Sequence, residues 1–179
     1  MAEQGKSLSS SGRKGTTKVC PCDFRSVKEK EDARRNFLEK YGEDLPEEAI
    51  IEALSDEVWE NWIEYCDCKK PNEIVAAIHY INNDWYLCTL KGLAVDPKRR
   101  GYGIGSAITR EGVEKATKNP DCKVLAADIT FDNKPSIRTF EKVGFETVGE
   151  FCWAKGEKPT DILHLIRYKP TKDKTCLEP

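Results

Sequence analysis

Histidine and methionine are nearly absent from this chain of 179 residues, which carries two of the first and one of the second. His79 and His164 each read as strand residues rather than ligands. With so few bases to hand, Cys88 and Cys152 lack the adjacent base that a cysteine nucleophile wants. Long apolar runs are also missing: none approaches the about 20 residues of a membrane span, and residues 1–18 lack the apolar core of a signal peptide. The expectation is a cytoplasmic protein, with the nucleus left open, and no membrane partner. Nor is there an excess of one charge, since 29 Lys and Arg face 31 Asp and Glu for a net −2. That balance lacks the polycationic character of nucleic-acid binders. Eight cysteines without an export signal read as reduced thiols rather than a disulfide framework.

What is present is organised around Leu93 to Ile108, LAVDPKRRGYGIGSAI. Leu93, Ala94 and Val95 read as the end of a buried strand, and Asp96 and Pro97 stop it, because proline cannot donate to a ladder. Gly101, Gly103 and Gly105 then alternate with Tyr102 and Ile104. Ile104, Ala107, Ile108, Gly112 and Ala116 recur at helical spacing. The pattern is strand, glycine turn and helix N-terminus. Glycines admit positive φ and close approach of the backbone, and the unpaired N–H groups and dipole of the helix suit an anion such as a pyrophosphate. Lys98, Arg99 and Arg100 add positive charge. Two other phosphate-binding turns are excluded. A P-loop needs a Lys between Gly105 and Ser106, and a dinucleotide fold puts its glycine turn after the first strand, whereas three strands are expected before this one.

Around that stretch, residues 1–18 read as a mobile tail, 19–169 as one domain and 170–179 as a second tail. Val19 to Arg25 is expected as a first strand, and Ser26 with Glu29 as a capping box for a helix to about Tyr41. Asp44 and Glu47 cap a second helix to about Leu54. A strand starts near Trp62; Glu73 to Tyr80 and Asp84 to Val95 form the next two, joined by a turn at Asn82 to Asp84. Gly92 marks a bulge, because glycine weakens a ladder unless the chain must bend. Lys123 to Thr130 is a fifth strand, Lys134 to Val143 a helix closing on Gly144, and Phe145 to Trp153 and Asp161 to Tyr168 the last strands. Between Tyr41 and Cys68 stand ten acidic residues and no Lys or Arg. This block is a solvated face or, if it walls a cleft, an attractor of cations through Glu64 and Asp67. Cys20-Pro-Cys22 and Cys66-Asp-Cys68 read as small core residues or a disulfide before a four-thiolate zinc site. Trp59, Trp62, Trp85 and Trp153 are core or cleft residues, the last three candidates for framing an apolar tunnel mouth.

Arg100-Gly101-Tyr102-Gly103-Ile104-Gly105 resembles the Arg/Gln-x-x-Gly-x-Gly/Ala signature of the GNAT N-acetyltransferases. Asn133-Lys-Pro-Ser-Ile-Arg-Thr-Phe-Glu-Lys-Val-Gly-Phe145 is similar to the family's second segment, and the match runs from about Val19 to Tyr168. The resemblance implies a mixed α/β fold: a mostly antiparallel sheet splayed between strands 4 and 5 and flanked by helices. It implies acetyl-CoA as co-substrate and no metal. Cofactor contacts are expected from Leu93, Ala94, Val95, Arg100, Gly101, Tyr102, Gly103, Ile104, Gly105, Ser106, Asn133, Ser136 and Phe140.

Such a domain moves an acetyl group from a thioester to an amine while both are bound. The amine must lose a proton, and Asp128, five residues before Asn133, is the candidate base, with a structural strand Asp as the alternative. The resemblance places a Tyr general acid where this chain has Phe140. Since a thiol pKa is about 8.5, thiolate can leave without an acid, or water or Tyr86 can supply the proton. The acceptor is expected to be a cationic primary amine, either polyamine-like or on a basic peptide or protein. A homodimer is left open. The alternative is a catalytically weak domain that binds acyl-CoA as a sensor.

Overall fold

The computed structural model describes residues 18–41, 61–82, 86–155 and 158–168. Within these, seven strands and three α-helices follow the chain: β1 (Val19–Pro21), α1 (Val27–Tyr41), β2 (Trp62–Asp67), β3 (Lys70–Asn82), β4 (Leu87–Val95), α2 (Ile104–Ala116), β5 (Val124–Thr130), α3 (Lys134–Glu141), β6 (Glu146–Lys155) and β7 (Lys158–Tyr168). Their hydrogen-bonded order is β1-β2-β3-β4-β5-β7-β6. β4 and β5 are parallel, and the other pairs for which partners are given run antiparallel. The expected second helix lies outside the described residues. Contacts divide the chain into two compact units, 1–79 with 92–108, and 80–91 with 109–179.

In the first unit, α1 begins as its capping residues dictate. Ser26 Oγ accepts from the Glu29 N–H at 3.1 Å, while the Glu29 carboxylate reaches back one residue further than a standard box, to the Arg25 N–H at 2.7 Å. α1 buries Arg34, Phe37 and Leu38. Phe37 and Leu38 join Trp62 and Cys66 of β2, Ile74 and Ala77 of β3 and Ala94 of β4 in one apolar cluster. The first strand is shorter than expected: Pro21 offers no N–H, and the chain leaves β2 there, after three partners (Val19↔Asp67, Cys20↔Cys66, Pro21↔Tyr65).

Disulfides replace much of what β1 lacks in length. Cys20 is bonded to Cys68 and Cys22 to Cys66, which corrects the expectation of reduced thiols for these four. Cys20 and Cys66 stand opposite one another in the β1–β2 register, and the bonds run diagonally, each from one of these to the Cys just past the other strand's end. Cys88 and Cys122 are free and buried, as expected.

In the second unit, the parallel pairing of β4 with β5 covers Leu87–Thr89 against Val124–Ala126, while β5 continues to Thr130 along β7. Leu125, Ala127 and Ile166 are at most 1 % exposed and form the centre of this sheet. α3 opens on Asn133 and closes at Gly144, whose φ of 100° only glycine adopts freely. Phe140 and Phe145 then meet edge to face at 5.0 Å.

The two disulfides close loops of 48 and 44 residues, one inside the other, so with either bond intact the second closes only the few residues between them, and removing one should cost roughly 2 kcal/mol through the entropy returned to the unfolded chain. Cys22→Ser/Cys66→Ser should lower the free energy of unfolding by that amount, read as a lower urea midpoint with the slope of the transition unchanged.

Candidate active site

β4 ends where the Asp96 N–H donates to the Val75 carbonyl at 2.9 Å, its last bond to β3. Asp96, 8 % exposed, then caps a single 3₁₀ turn, Pro97–Arg99, and its carboxylate accepts from the Lys98 N–H at 2.9 Å. Asp-Pro thus ends the strand and starts the turn with one buried side chain. Arg100 Nε donates to the Val95 carbonyl at 3.0 Å, which folds its stem back over the strand end. Gly101 and Gly103 take φ of 85° and 80°. A Cβ on Gly101 would meet nothing within 4 Å. Conformation, not crowding, demands glycine at 101, and the space over it is open to a ligand. α2 follows at once, its first turn closed by the Ala107 N–H on the Gly103 carbonyl at 3.0 Å. Ile104 and Ile108, 3 % and 0 % exposed, anchor it. A helix N-terminus directs backbone N–H groups and the positive end of its dipole outward, an arrangement suited to an anion.

The carboxylates expected to meet a cationic acceptor are engaged by the protein. Glu64 binds Arg34, whose Nε lies at 2.7 Å and whose Nη2 also contacts it, with Lys30 Nζ at 3.9 Å. Its side chain is 7 % exposed and that of Arg34 is 0 %. Asp67 holds Arg99 and accepts from the Lys69 N–H at 2.9 Å. The Lys69 N–H, ahead of Arg99, holds the Asp67 carboxyl below its usual range, while burial opposes the shift. Arg99 is thereby committed to Asp67, and Lys98 and Arg100 are the exposed cations of the turn. The other eight acidic residues of the block, between 43 and 60, lie outside the described residues.

In the second unit, Asp128 stands on β5 opposite Leu165, between buried Ala127 and Ile129. The residue is exposed, yet the protein packed around its carboxyl excludes enough water to push the pKa up, against the pull of Lys91. Asn133 Oδ1 accepts from the Ser136 N–H at 3.2 Å, so both residues serve the start of α3. Phe140 is 2 % exposed in the contact with Phe145, a core position. The Tyr86 carbonyl takes the N–H groups of Lys123 and Val124 at 2.8 and 3.0 Å. This places the Tyr86 backbone roughly 16 Å along β5 from Asp128. Cys88, 1 % exposed, has its thiol pushed up to about 12 by burial and a hydrogen bond with Cys122, which makes it inert as a nucleophile. His79 is a buried strand residue stacked on Trp62. For His164, Cys152 and Trp153 only the backbone is described, and Trp85 lies outside the described residues. No cluster of metal-ligating side chains occurs among the described residues, and no helix there is long and apolar enough to cross a membrane.

A mixed sheet with one parallel pair, and a glycine turn that passes from a strand into a helix N-terminus, defines an acyltransferase architecture. The profile of the acetyltransferase (GNAT) family matches residues 29–145, and the chain belongs to that family. Several solved structures share the fold. A NatC complex bound to Gag peptide and CoA aligns with a TM-score of 0.66 at 17 % identity, covering 86 % of this chain and 98 % of that one. Ribosomal-protein-S5-alanine acetyltransferase from Vibrio fischeri gives 0.66 at 12 %, covering 87 % and 93 %. Arabidopsis thaliana NAA60 in complex with a bisubstrate analogue gives 0.62 at 15 %, covering 84 % and 96 %. No curated protein matches the chain in sequence.

Because the folded pKa of Asp67 is lowered, its pairing contributes stability that is present above the ordinary value of 3.8 and lost as pH falls through the folded value. Asp67→Asn should lower the melting temperature at pH 7, and the difference from wild type should shrink as pH falls below the ordinary carboxylate value.

Proposed function

We propose that this protein transfers an acetyl group from acetyl-CoA to a primary amine by direct attack within a ternary complex. The observation that carries the reading is the turn from Asp96 to Ser106. Two left-handed glycines deliver a helix N-terminus directly after a strand whose Val95 carbonyl is bonded to Arg100. The backbone of Arg100, Gly101, Tyr102, Gly103, Ile104, Gly105 and Ser106 would receive the pyrophosphate, and the main chain of Leu93, Ala94 and Val95 the pantetheine arm and thioester. Asn133, Ser136 and Phe140 contribute by fixing α3, through the Asn133 side chain and Ser136 N–H at its cap and the Phe140 ring in the core.

In the reaction the amine nitrogen attacks the thioester carbon, the carbonyl oxygen gains charge, and the C–S bond then breaks to release the CoA thiolate. Backbone N–H groups at β4 stabilise the oxyanion. Asp128 takes the amine proton; its raised pKa makes it a better base than an ordinary aspartate. No side chain is assigned as acid, because Phe140 cannot donate and thiolate with a pKa of about 8.5 leaves unaided.

The acceptor proposed is an amine on a peptide or protein. The NatC and ribosomal-protein-S5-alanine neighbours are described as acting on or binding such chains. Glu64 and Asp67, which would have attracted a cationic acceptor of either kind, are already neutralised, so the choice rests on those neighbours. A second reading, an acyl-CoA binder of little activity, is favoured by one observation, the buried Phe140.

Thiol release from acetyl-CoA, measured against peptides with free N-termini, lysine peptides and polyamines, should depend on a peptide amine. Release with polyamines alone would overturn the acceptor, and CoA binding without release under any condition would favour the second reading. Gly103→Glu should abolish CoA binding measured calorimetrically, because it puts a carboxylate and a strained φ at the pyrophosphate. Asp128→Asn should lower kcat by about 10²-fold and remove the rise of activity with pH that deprotonation of Asp128 produces. An unchanged pH profile would exclude Asp128 as base.

A further inference from the structure

Gly92 sits in β4 one residue before the segment assigned to the thioester, with φ of 64°. A Cβ built on it would lie 3.4 Å from Cη2 of Trp62. The outer edge of an indole therefore lies against the backbone at the bend in β4.

Trp62 is held there on several sides. It is the first residue of β2 and the register partner of His79 in β3. The two rings stack with centroids 4.8 Å apart and planes within 2°. The guanidinium of Arg34 lies 5.3 Å from the indole centroid, and Arg34 is itself held by Glu64. All three are deeply buried, Arg34 at 0 %, His79 at 3 % and Trp62 at 5 %. Burying a charged pair to place a side chain is unfavourable compared with an apolar filling of the same volume. The Trp62 Nε1 donor is also buried without a hydrogen-bond partner. Phe or Leu at 62 would avoid that loss, so the indole is retained here for its size and rigid placement rather than for its N–H.

We infer that Trp62 sets the length of the acyl group, admitting acetyl and excluding longer chains by closing the space beneath Gly92. The inference rests on the proposed acetyl-CoA reading, which brings the thioester to Leu93. An acyl chain extending from there under the bend meets the indole edge. A methyl-sized group built at Gly92 already reaches van der Waals contact with Cη2, so a propyl group entering the same space must displace a ring clamped between β3 and α1.

The test compares dissociation constants for CoA, acetyl-CoA and butyryl-CoA in wild type and Trp62→Leu, using the full chain. Wild type should bind butyryl-CoA at least about 10-fold more weakly than acetyl-CoA. Trp62→Leu should close that ratio to within about twofold while leaving the affinity for CoA itself unchanged. Trp62→Phe keeps the aromatic stack but shortens its outer edge, and should shift the ratio in the same direction; it serves if the Leu variant does not fold. A wild type without preference, or a ratio unmoved by both substitutions while CoA still binds, overturns the inference alone. A wild type that binds no CoA overturns the acetyl-CoA reading and this inference with it.

Discussion

The ion pair between Asp67 and Arg99 is the constraint on which the first unit depends, because it ties the end of β2 to the turn that follows β4. A glycine turn is poor at holding its own shape: each glycine that permits positive φ also enlarges the unfolded ensemble. Here rigidity is imported from outside. Asp67 stands between two half-cystines, and the bonds from Cys66 and Cys68 fix the backbone that carries its carboxylate. Asp96 does the same at the other end of the 3₁₀ turn through its own backbone and side-chain bonds. Arg99, which at first sight belongs to a basic patch, is a strut.

β2 is more than a sheet strand. Within six residues it supplies the indole under β4, the carboxylate that neutralises the fully buried Arg34, a half-cystine and the anchor of the turn. This density explains why a strand with two register irregularities persists beside β3. Its ladder is imperfect, and side-chain bonds to α1, β1 and the turn secure it instead. It also changes the electrostatics that the acidic composition suggests. Charge counted along a chain says nothing about charge available to a ligand until the buried counter-ions are known.

Much of the fold was legible because its signals are local. Asp-Pro ended β4, alternating glycines announced the turn, and Gly144 marked the close of the helix that starts at Lys134, each matched in the structure. The start of β2 at Trp62 and the bend at Gly92 were also readable. Signals that depend on pairing across the sequence were not. Nothing in Arg34 alone, a charged residue on a helix, predicts that it is buried against Glu64, thirty residues away. The cysteine pairing runs diagonally across a register in which Cys20 faces Cys66, so it could not be read from the C-x-C spacing, and compartment arguments pointed the other way. Likewise, Tyr86 looked like a proton donor until the strand direction put it beside Lys123.

The nested cross-links have a topological consequence. Because Cys22–Cys66 lies inside Cys20–Cys68, any peptide bond cut between Cys22 and Cys66 leaves two fragments joined at two points. A protease could cut once anywhere in the interval that carries α1 without releasing a piece. The damage would show only when the fragments were separated by a reductant.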